Sequence, residues 1–118
     1  QDARMSQVYA AAFERIGDIW VPMVDPYVCD PQDVTIPAGD GWVACGSGFV
    51  SYKEVFETSK KFSIPILNGE YIRSTAREVL KITCRDFLAG KAVSAEDAIP
   101  TYVRNKVALT LDEQVSSR

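Results

Sequence analysis

The sequence contains no histidine among its 118 residues. Histidine is the general base of Ser-His-Asp triads, the partner of many catalytic cysteines and a common zinc ligand. Its absence excludes those three kinds of site from this chain. Long apolar segments are also missing, since no run approaches the ~20 residues that a membrane-spanning helix needs. We therefore expect no contact with a membrane.

Cysteine is scarce, with three residues and no C-x-x-C spacing: Cys29, Cys45 and Cys84. An odd number of cysteines in this arrangement predicts buried free thiols and a reducing compartment. The net charge of −3 and the isoelectric point of about 4.9 do not favour a general nucleic-acid binder. Together these features predict a cytoplasmic protein.

Aspartate is frequent in one short stretch, at Asp25, Asp30, Asp33 and Asp40. Such acids can form a metal cluster, but turn and cap duty explains each of the four separately, and three of them stand directly beside Pro or Gly. Asp30 followed by Pro31 is typical of a helix start. We interpret the four acids as turn and cap residues and predict no metal site.

The length and the hydrophobic content of 47% fit one domain covering residues 1–118. Strand patterns dominate the first third and helix patterns follow. This order predicts an α/β domain in which a mixed sheet packs against helices.

The N-terminal stretch has the pattern of a β-hairpin. Residues 2–13 form the expected first arm, residues 14–18 hold a polar reversal with Gly17, and residues 19–24 begin the return. Alternation places Met5, Gln7, Tyr9, Ala11 and Phe13 on one face. Because both faces are largely apolar, we expect both to be covered. Pro22 cannot donate to a ladder and predicts an edge strand.

A glycine turn, Gly46-Ser47-Gly48, follows a short predicted strand at residues 42–45. Ser51 and Glu54 then have the spacing of a capping box at the start of an amphipathic helix. A glycine turn between strand and helix can cradle a phosphate on exposed amides. It can equally be a tight turn, and the Lys and Ser/Thr of a P-loop do not follow it.

The longest predicted helix covers residues 72–89, with Gly90 as its stop. Its apolar face contains Ile72, Ala76, Val79, Leu80, Thr83 and Phe87. Beside this face lies a cationic row at spacings of four, Arg73, Arg77, Lys81 and Arg85. The row is either a solvated helix face or a contact for an acidic partner or an RNA backbone.

Three motifs resemble the TsaB family (also called YeaZ) of tRNA threonylcarbamoyladenosine synthesis. Asp2-Ala3-Arg4-Met5 with the following Val8-Tyr9 is similar to the strand that opens the second lobe of that family. Residues 100–108, Pro-Thr-Tyr-Val-Arg-Asn-Lys-Val-Ala, are similar to its closing Pro-x-Tyr-Leu-Arg-Asn-x-Val-Ala. Residues 46–49 resemble its Gly-x-Gly-aromatic turn. The motifs occur in the family's order and span almost the whole chain.

The resemblance implies a ribonuclease-H-like lobe of the actin, sugar-kinase and heat-shock ATPase superfamily. It further implies that the chain is the C-terminal lobe of a two-lobed protein whose N-terminal lobe is absent. The expected role is a non-catalytic scaffold subunit of the complex that transfers threonylcarbamoyl to adenosine in tRNA. Its expected partners, through the complete protein, are TsaD-like and TsaE-like proteins, a second copy, and tRNA only indirectly.

The chain departs from the enzymatic relative TsaD where phosphate chemistry would lie. The Asp-Asp-Ala-x-Gly-Glu segment of TsaD places its second Asp on Ala3, its Gly on Ser6 and its Glu on Gln7. We therefore predict no catalytic residue and no cofactor, and without histidine the superfamily's old label "glycoprotease" has no metal ligands to support it. The alternative is a nucleotide-binding ATPase lobe, with Gly46, Ser47 and Gly48 as the candidate ligand residues.

Overall fold

The computed structural model describes residues 1–67 and 74–104. Three strands, β1 (Asp2–Arg4), β2 (Gln7–Ile16) and β3 (Ile19–Cys29), form one antiparallel sheet in the order β1-β2-β3. A 3-10 turn at Pro31–Asp33 follows the sheet. The helices are α1 (Ser47–Ser51), α2 (Lys53–Thr58) and α3 (Ala76–Leu88).

These elements confirm the α/β class, but the sheet is not mixed. Its pairings are antiparallel, and parallel pairing in the described residues is limited to one isolated bridge between Ala44 and Ile66. The strand predicted at residues 42–45 is reduced to that bridge. Gly41 and Gly46 adopt positive φ on either side of it, which ends the extended backbone. The ribonuclease-H-like fold stays a prediction.

The main hairpin is longer than its sequence pattern indicated. Gly17, at φ +61°, and Asp18 form the turn, while Glu14 and Arg15 belong to β2 and pair with β3. The return arm continues to Cys29. Asp25, interpreted above as a turn residue, lies within β3 instead, where the register with β2 is irregular. The edge position predicted from Pro22 is confirmed, because β3 is an outer strand of the sheet.

The first arm is broken where the sequence predicted a continuous strand. Met5 and Ser6 form a turn between β1 and β2, with φ of +52° and +58°, and Arg4 before them has φ of +63°. Met5 therefore does not share a strand face with Gln7. From Gln7 onward the predicted alternation holds, since Val8 is buried and its strand neighbours are less so.

The core lies on the Val8 side of the sheet. Val8, Val34, Phe56 and Phe62 form its buried centre, and Phe49 and Tyr52 pack against them. The ring of Phe56 meets that of Phe49 at a centroid distance of 4.5 Å and that of Phe62 at 4.7 Å. Burying one such side chain contributes about 1.5–3 kcal/mol. This aromatic cluster fixes α2 against the sheet.

One predicted amphipathic helix is observed as two. Tyr52, at φ −120° and ψ 34°, separates α1 from α2. The predicted capping box is wrong, because Ser51 ends α1 and its side chain turns to β1 instead of capping a helix. Spacings of three and four predict one shared helix face for Phe49, Tyr52 and Phe56. Their packing in the core confirms it, although the helix is divided.

The far end of the hairpin is uncovered, contrary to the expectation that both sheet faces are buried. Five large apolar side chains of this end are exposed: Phe13, Ile16, Ile19, Trp20 and Met23. The helices α1 and α2 pack near the base of the hairpin, on Val8, and leave its outer half in solvent. The outer hairpin, residues 13–23, is therefore an exposed apolar surface.

The helix α3 ends as predicted and is likewise exposed. Gly90, at φ +71°, stops it, and its N–H donates to the Phe87 carbonyl at 3.0 Å. The helix begins at Ala76 rather than at residue 72, and Ile72 and Arg73 lie outside the described residues. No residue of α3 is buried, including those of its predicted apolar face.

Candidate functional site

The glycine turn at residues 46–48 packs directly against the first two strands. Gly48 is buried, and a Cβ added to it would lie 3.1 Å from Cγ1 of Val8. A contact this short would force Val8 to shift by a few tenths of an ångström, so packing favours glycine at this position. Gly46, at φ +117°, has open space around it and requires glycine for its backbone conformation. Packing thus accounts for Gly48, and backbone conformation accounts for Gly46.

Ser47 and Asp2 join this turn to β1. The backbone N–H of Asp2 donates to Oγ of Ser47 at 3.1 Å. The Asp2 carboxylate accepts the N–H of Arg4 at 2.9 Å, the Tyr52 hydroxyl at 3.4 Å and the Ser51 hydroxyl at 3.5 Å. One aspartate therefore ties β1 to the boundary between α1 and α2.

The hydrogen bonds of Asp2 determine its titration. The Arg4 N–H is the largest influence and lowers the pKa of the Asp2 carboxyl, helped by the nearby guanidinium and the hydroxyls of Tyr52 and Ser51. Desolvation, followed by the Asp2 charge, raises the pKa of Tyr52. Asp2 is thus held in the ionised form, and no shift here moves an acid toward the neutral pH at which it would act as a general acid.

Arg104 brings the other end of the described chain to the same strand pair. Its Nη2 donates to Oε1 of Gln7 at 2.8 Å, and its Nη1 donates to the sulfur of Met5 at 3.4 Å. The guanidinium carbon lies 5.7 Å from the centre of the Tyr9 ring. Cation–π contacts of this kind contribute about 0.5–1 kcal/mol at exposed sites. Arg104 of the closing motif therefore meets the opening motif.

A small cavity lies between the sheet and α1. Its volume is about 110 Å³, and Val8, Ala10, Phe49 and Phe56 are among the residues that line it. Pockets for drug-sized ligands have volumes of about 300–1,000 Å³. This cavity is therefore too small to enclose a nucleotide in the present conformation.

The predicted aspartates occupy separate places. Asp30 precedes the 3-10 turn at Pro31–Asp33, as predicted, but its side chain makes no capping hydrogen bond. Its Oδ1 instead accepts a hydrogen bond from Nε2 of Gln7 at 3.4 Å. Within residues 1–67 and 74–104, no three acidic or cysteine side chains converge as metal ligands. Over the same ranges, no helix has the length and apolar content required to cross a membrane.

The cysteines are free, but the predicted burial is wrong for two of them. Cys45 and Cys84 are exposed, and Cys29 is half-buried. Burial raises the pKa of the Cys29 thiol. A thiol with a raised pKa forms less of the reactive thiolate at neutral pH, so Cys29 lacks the property that marks a reactive cysteine.

The predicted cationic row lies on exposed α3. Arg85 pairs with Asp86 at 3.0 Å, whereas Arg77 and Lys81 form no ion pair with another described residue. Arg73 lies outside the described residues. Glu78, at the start of the helix, accepts the hydroxyl of Thr75, which lowers the pKa of that carboxyl. The RNA and acidic-partner hypotheses for this row stay predictions.

Comparison of the sequence with known proteins tests the resemblance seen in the motifs at residues 2–9 and 100–108. The chain is 32% identical over 111 residues to the tRNA threonylcarbamoyladenosine biosynthesis protein TsaB of Escherichia coli (strain K12). This chain resembles TsaB. The similarity covers 91% of the chain but 47% of the relative, so the chain spans about half the length of the curated relative it matches. No protein-family model matches the chain.

This finding confirms the resemblance that the motifs predicted. The contacts of Asp2 with Ser51 and Tyr52, and of Arg104 with Gln7, were not predicted. The motifs mark both of these segments, but no pattern in the sequence indicates that Arg104 contacts Gln7.

Proposed function

We propose that this chain is a non-catalytic scaffold lobe in the synthesis of threonylcarbamoyladenosine in tRNA. The observation that carries the proposal is the similarity to TsaB over 91% of the chain. The fold proposed with it is the ribonuclease-H-like lobe, and the position proposed is the C-terminal half of a two-lobed protein. The cytoplasm is the proposed location.

The geometry around the glycine turn supports a role without catalysis. Val8 occupies the space beside Gly48 where a side chain would project. Asp2 accepts several hydrogen bonds that hold β1 to the helices. Residues so engaged are not free to bind a phosphate or to transfer a proton. They form the rigid base of the sheet, and a scaffold requires such a base.

The partners proposed are TsaD-like and TsaE-like proteins, bound by the complete protein. Exposed apolar side chains on α3 and on the outer hairpin support an interaction role, since large apolar patches on a protein surface mark contact sites. Transfer of threonylcarbamoyl to adenosine is proposed to take place on a partner, with tRNA reaching this lobe only indirectly.

The test uses the complete two-lobed protein with and without this lobe. Each form is mixed with TsaD-like and TsaE-like proteins, and the assembly is measured by pull-down. The modified nucleoside in tRNA is then quantified by mass spectrometry. We expect both assembly and modification to fall when the lobe is removed, and unchanged levels of both would refute the scaffold role.

A point variant separates the loss of the whole lobe from the loss of the contacts that Arg104 makes with Gln7 and Met5. Arg104→Ala in the complete protein removes the contacts with Gln7 and Met5, and we expect weaker assembly. Lys60→Ala changes an exposed cation away from the junction and serves as the control. Turnover of any substrate by the purified lobe alone would contradict the non-catalytic assignment.

A further inference from the structure

The side chain of Met5 combines exposure to solvent with a cationic neighbour. Met5 is 59% exposed, and it lies in the turn that joins β1 to β2. Its sulfur accepts a hydrogen bond from Nη1 of Arg104 at 3.4 Å. The pairing of Arg4 with Gln7 closes this turn and fixes the backbone that carries the sulfur. A thioether that solvent can reach is therefore held beside a guanidinium.

The thioether of Met5 uses little of the hydrogen-bonding capacity of Arg104. Methionine sulfur is a weak acceptor, whereas a guanidinium has five N–H donors and a full charge. Nη2 of Arg104 has a better acceptor in Oε1 of Gln7, at 2.8 Å. Nε of Arg104 is buried and makes no hydrogen bond with any residue of 1–67 or 74–104. The guanidinium therefore retains donors that a stronger acceptor at Met5 could use.

Oxidation of the sulfur by hydrogen peroxide supplies such an acceptor. The sulfur donates a lone pair to one oxygen of the peroxide, and the O–O bond breaks. The hydroxide that leaves takes the proton of the transferred oxygen and becomes water. The sulfur is thereby oxidised to a polar sulfoxide, and the peroxide is reduced. Three rotatable side-chain bonds allow an exposed sulfoxide to turn its oxygen toward a neighbouring donor.

The second methionine of the chain provides an internal comparison. Met23 is 50% exposed, close to the value for Met5, and lies within β3. Among the described residues, the methionine sulfur that accepts a hydrogen bond is that of Met5. Because the two side chains are similarly exposed, a difference in the effect of their oxidation would report on the neighbour of Met5 rather than on access to solvent.

We propose that Met5 is a site of reversible oxidation whose sulfoxide is held by Arg104. The sulfoxide oxygen accepts a charge-assisted hydrogen bond, which is stronger than the contact with the thioether. Oxidation therefore tightens the junction between Arg104 and the turn that joins β1 to β2. Methionine sulfoxide reductases restore the thioether. The response of this junction to peroxide does not depend on whether the chain is a scaffold.

Variants with a single methionine isolate the two sites. Met23→Leu leaves only Met5, and Met5→Leu leaves only Met23. Each purified chain is treated with hydrogen peroxide and then with a thiol reductant, which restores oxidised cysteines but not sulfoxides, and mass spectrometry confirms the addition of one oxygen. Urea unfolding followed by circular dichroism gives the equilibrium constant for unfolding. Oxidation of Met5 should lower this constant about threefold or more, whereas oxidation of Met23 should not lower it.

Removing the guanidinium tests whether Arg104 is responsible. In the Met23→Leu chain, Arg104→Ala should abolish the stabilisation that oxidation produces. Lys60→Ala removes an exposed cation elsewhere and should leave that stabilisation intact. Met5→Gln places an amide oxygen where the sulfoxide oxygen would lie, so it should reproduce the stabilisation without peroxide. Arg104→Ala should cancel that effect as well.

The outcomes separate a sulfoxide held by Arg104 from incidental oxidation of an exposed side chain. A Met5 that stays unoxidised at peroxide concentrations that oxidise Met23 overturns the proposal. Oxidation of Met5 that destabilises the chain, or that has the same effect with and without Arg104, also overturns it, as does a sulfoxide that the reductases do not remove. A stabilisation that requires Arg104 and that the reductases reverse supports it.

Discussion

The turn at Met5 and Ser6 allows a direct test of backbone strain. Both residues have positive φ, at +52° and +58°. For an L residue this conformation brings Cβ close to the following carbonyl oxygen and costs about 1–2 kcal/mol. Glycine lacks Cβ and adopts the conformation freely, and two-residue hairpin turns favour it for that reason. We therefore predict that Ser6→Gly increases the free energy of unfolding.

Two opposing effects determine the size of this increase. Removing the strain at Ser6 gains about 1–2 kcal/mol. Glycine also has more conformational freedom in the unfolded chain, which reduces the free energy of unfolding by about 0.4–1 kcal/mol. The Ser6 hydroxyl makes no hydrogen bond with other described residues, so no contact is lost. The net gain should be about 0.5–1 kcal/mol, which raises Tm by about 2–4 °C in a domain of this size.

A short series of variants isolates the role of Cβ. Urea unfolding is followed by circular dichroism for Ser6→Gly, Ser6→Ala and Ser6→Val. Alanine keeps Cβ and should match the parent within about 0.5 kcal/mol. Valine, which is β-branched, should destabilise the turn. If the glycine variant is no more stable than the alanine variant, the positive φ at this position stores no strain.

Three further predictions concern the core, the Asp2 junction and the glycine turn. Phe56→Ala should lower the free energy of unfolding by about 3–5 kcal/mol, and Phe56→Leu by less than about 1.5 kcal/mol, in the same urea assay. Equal losses would contradict the central position of this ring. Because the folded-state pKa of Asp2 is lowered, its contribution to stability is present above the ordinary aspartate value of about 3.9 and is lost as the pH falls below it. Asp2→Asn should therefore flatten the stability profile in that acid range, and an unchanged profile would refute the assignment. Calorimetric titration of the complete protein with ATP and magnesium should show no saturation, and saturation that Gly48→Trp abolishes without unfolding the protein would favour the nucleotide-binding alternative.

The hairpin was predictable because its information is local. Apolar alternation, Gly17 at the reversal and Pro22 on the return arm were sufficient to place the reversal and the edge strand, though not the full extent of the arms. The turn at Met5 and Ser6 was not predictable, since neither residue is typical of positive φ. The surrounding pairing of β1 with β2 overrides the preference of those two residues.

The helix α3 shows a different limit of prediction. Its apolar face and its stop at Gly90 follow from spacing and residue type, and the structure confirms the stop. Spacing does not determine what lies against that face. The apolar face of α3 is exposed in the structure. A helical pattern carries no information on the tertiary or quaternary contacts of such a face.

The junction at Arg104 could not be derived from any window of the sequence. Arg104 and Gln7 are separated by 97 positions, and no periodicity connects them. The resemblance to TsaB marked both segments as distinctive without showing their contact. Their meeting supplies a physical reason for the two motifs to occur together, because the guanidinium of one needs the amide and the aromatic ring of the other.

The contacts around Gly48 bear most directly on the choice between a scaffold and a nucleotide-binding lobe. A phosphate at this turn would need the donors and the space that β1 now occupies. The Ser47 hydroxyl accepts the N–H of Asp2, and Val8 fills the volume beside Gly48. The helix that follows has only five residues, so its dipole offers little to an anion. Binding here would require β1 to separate from α1, which breaks the contacts that hold the base of the sheet. The turn therefore serves packing, whereas large apolar side chains of the outer hairpin and of α3 are exposed.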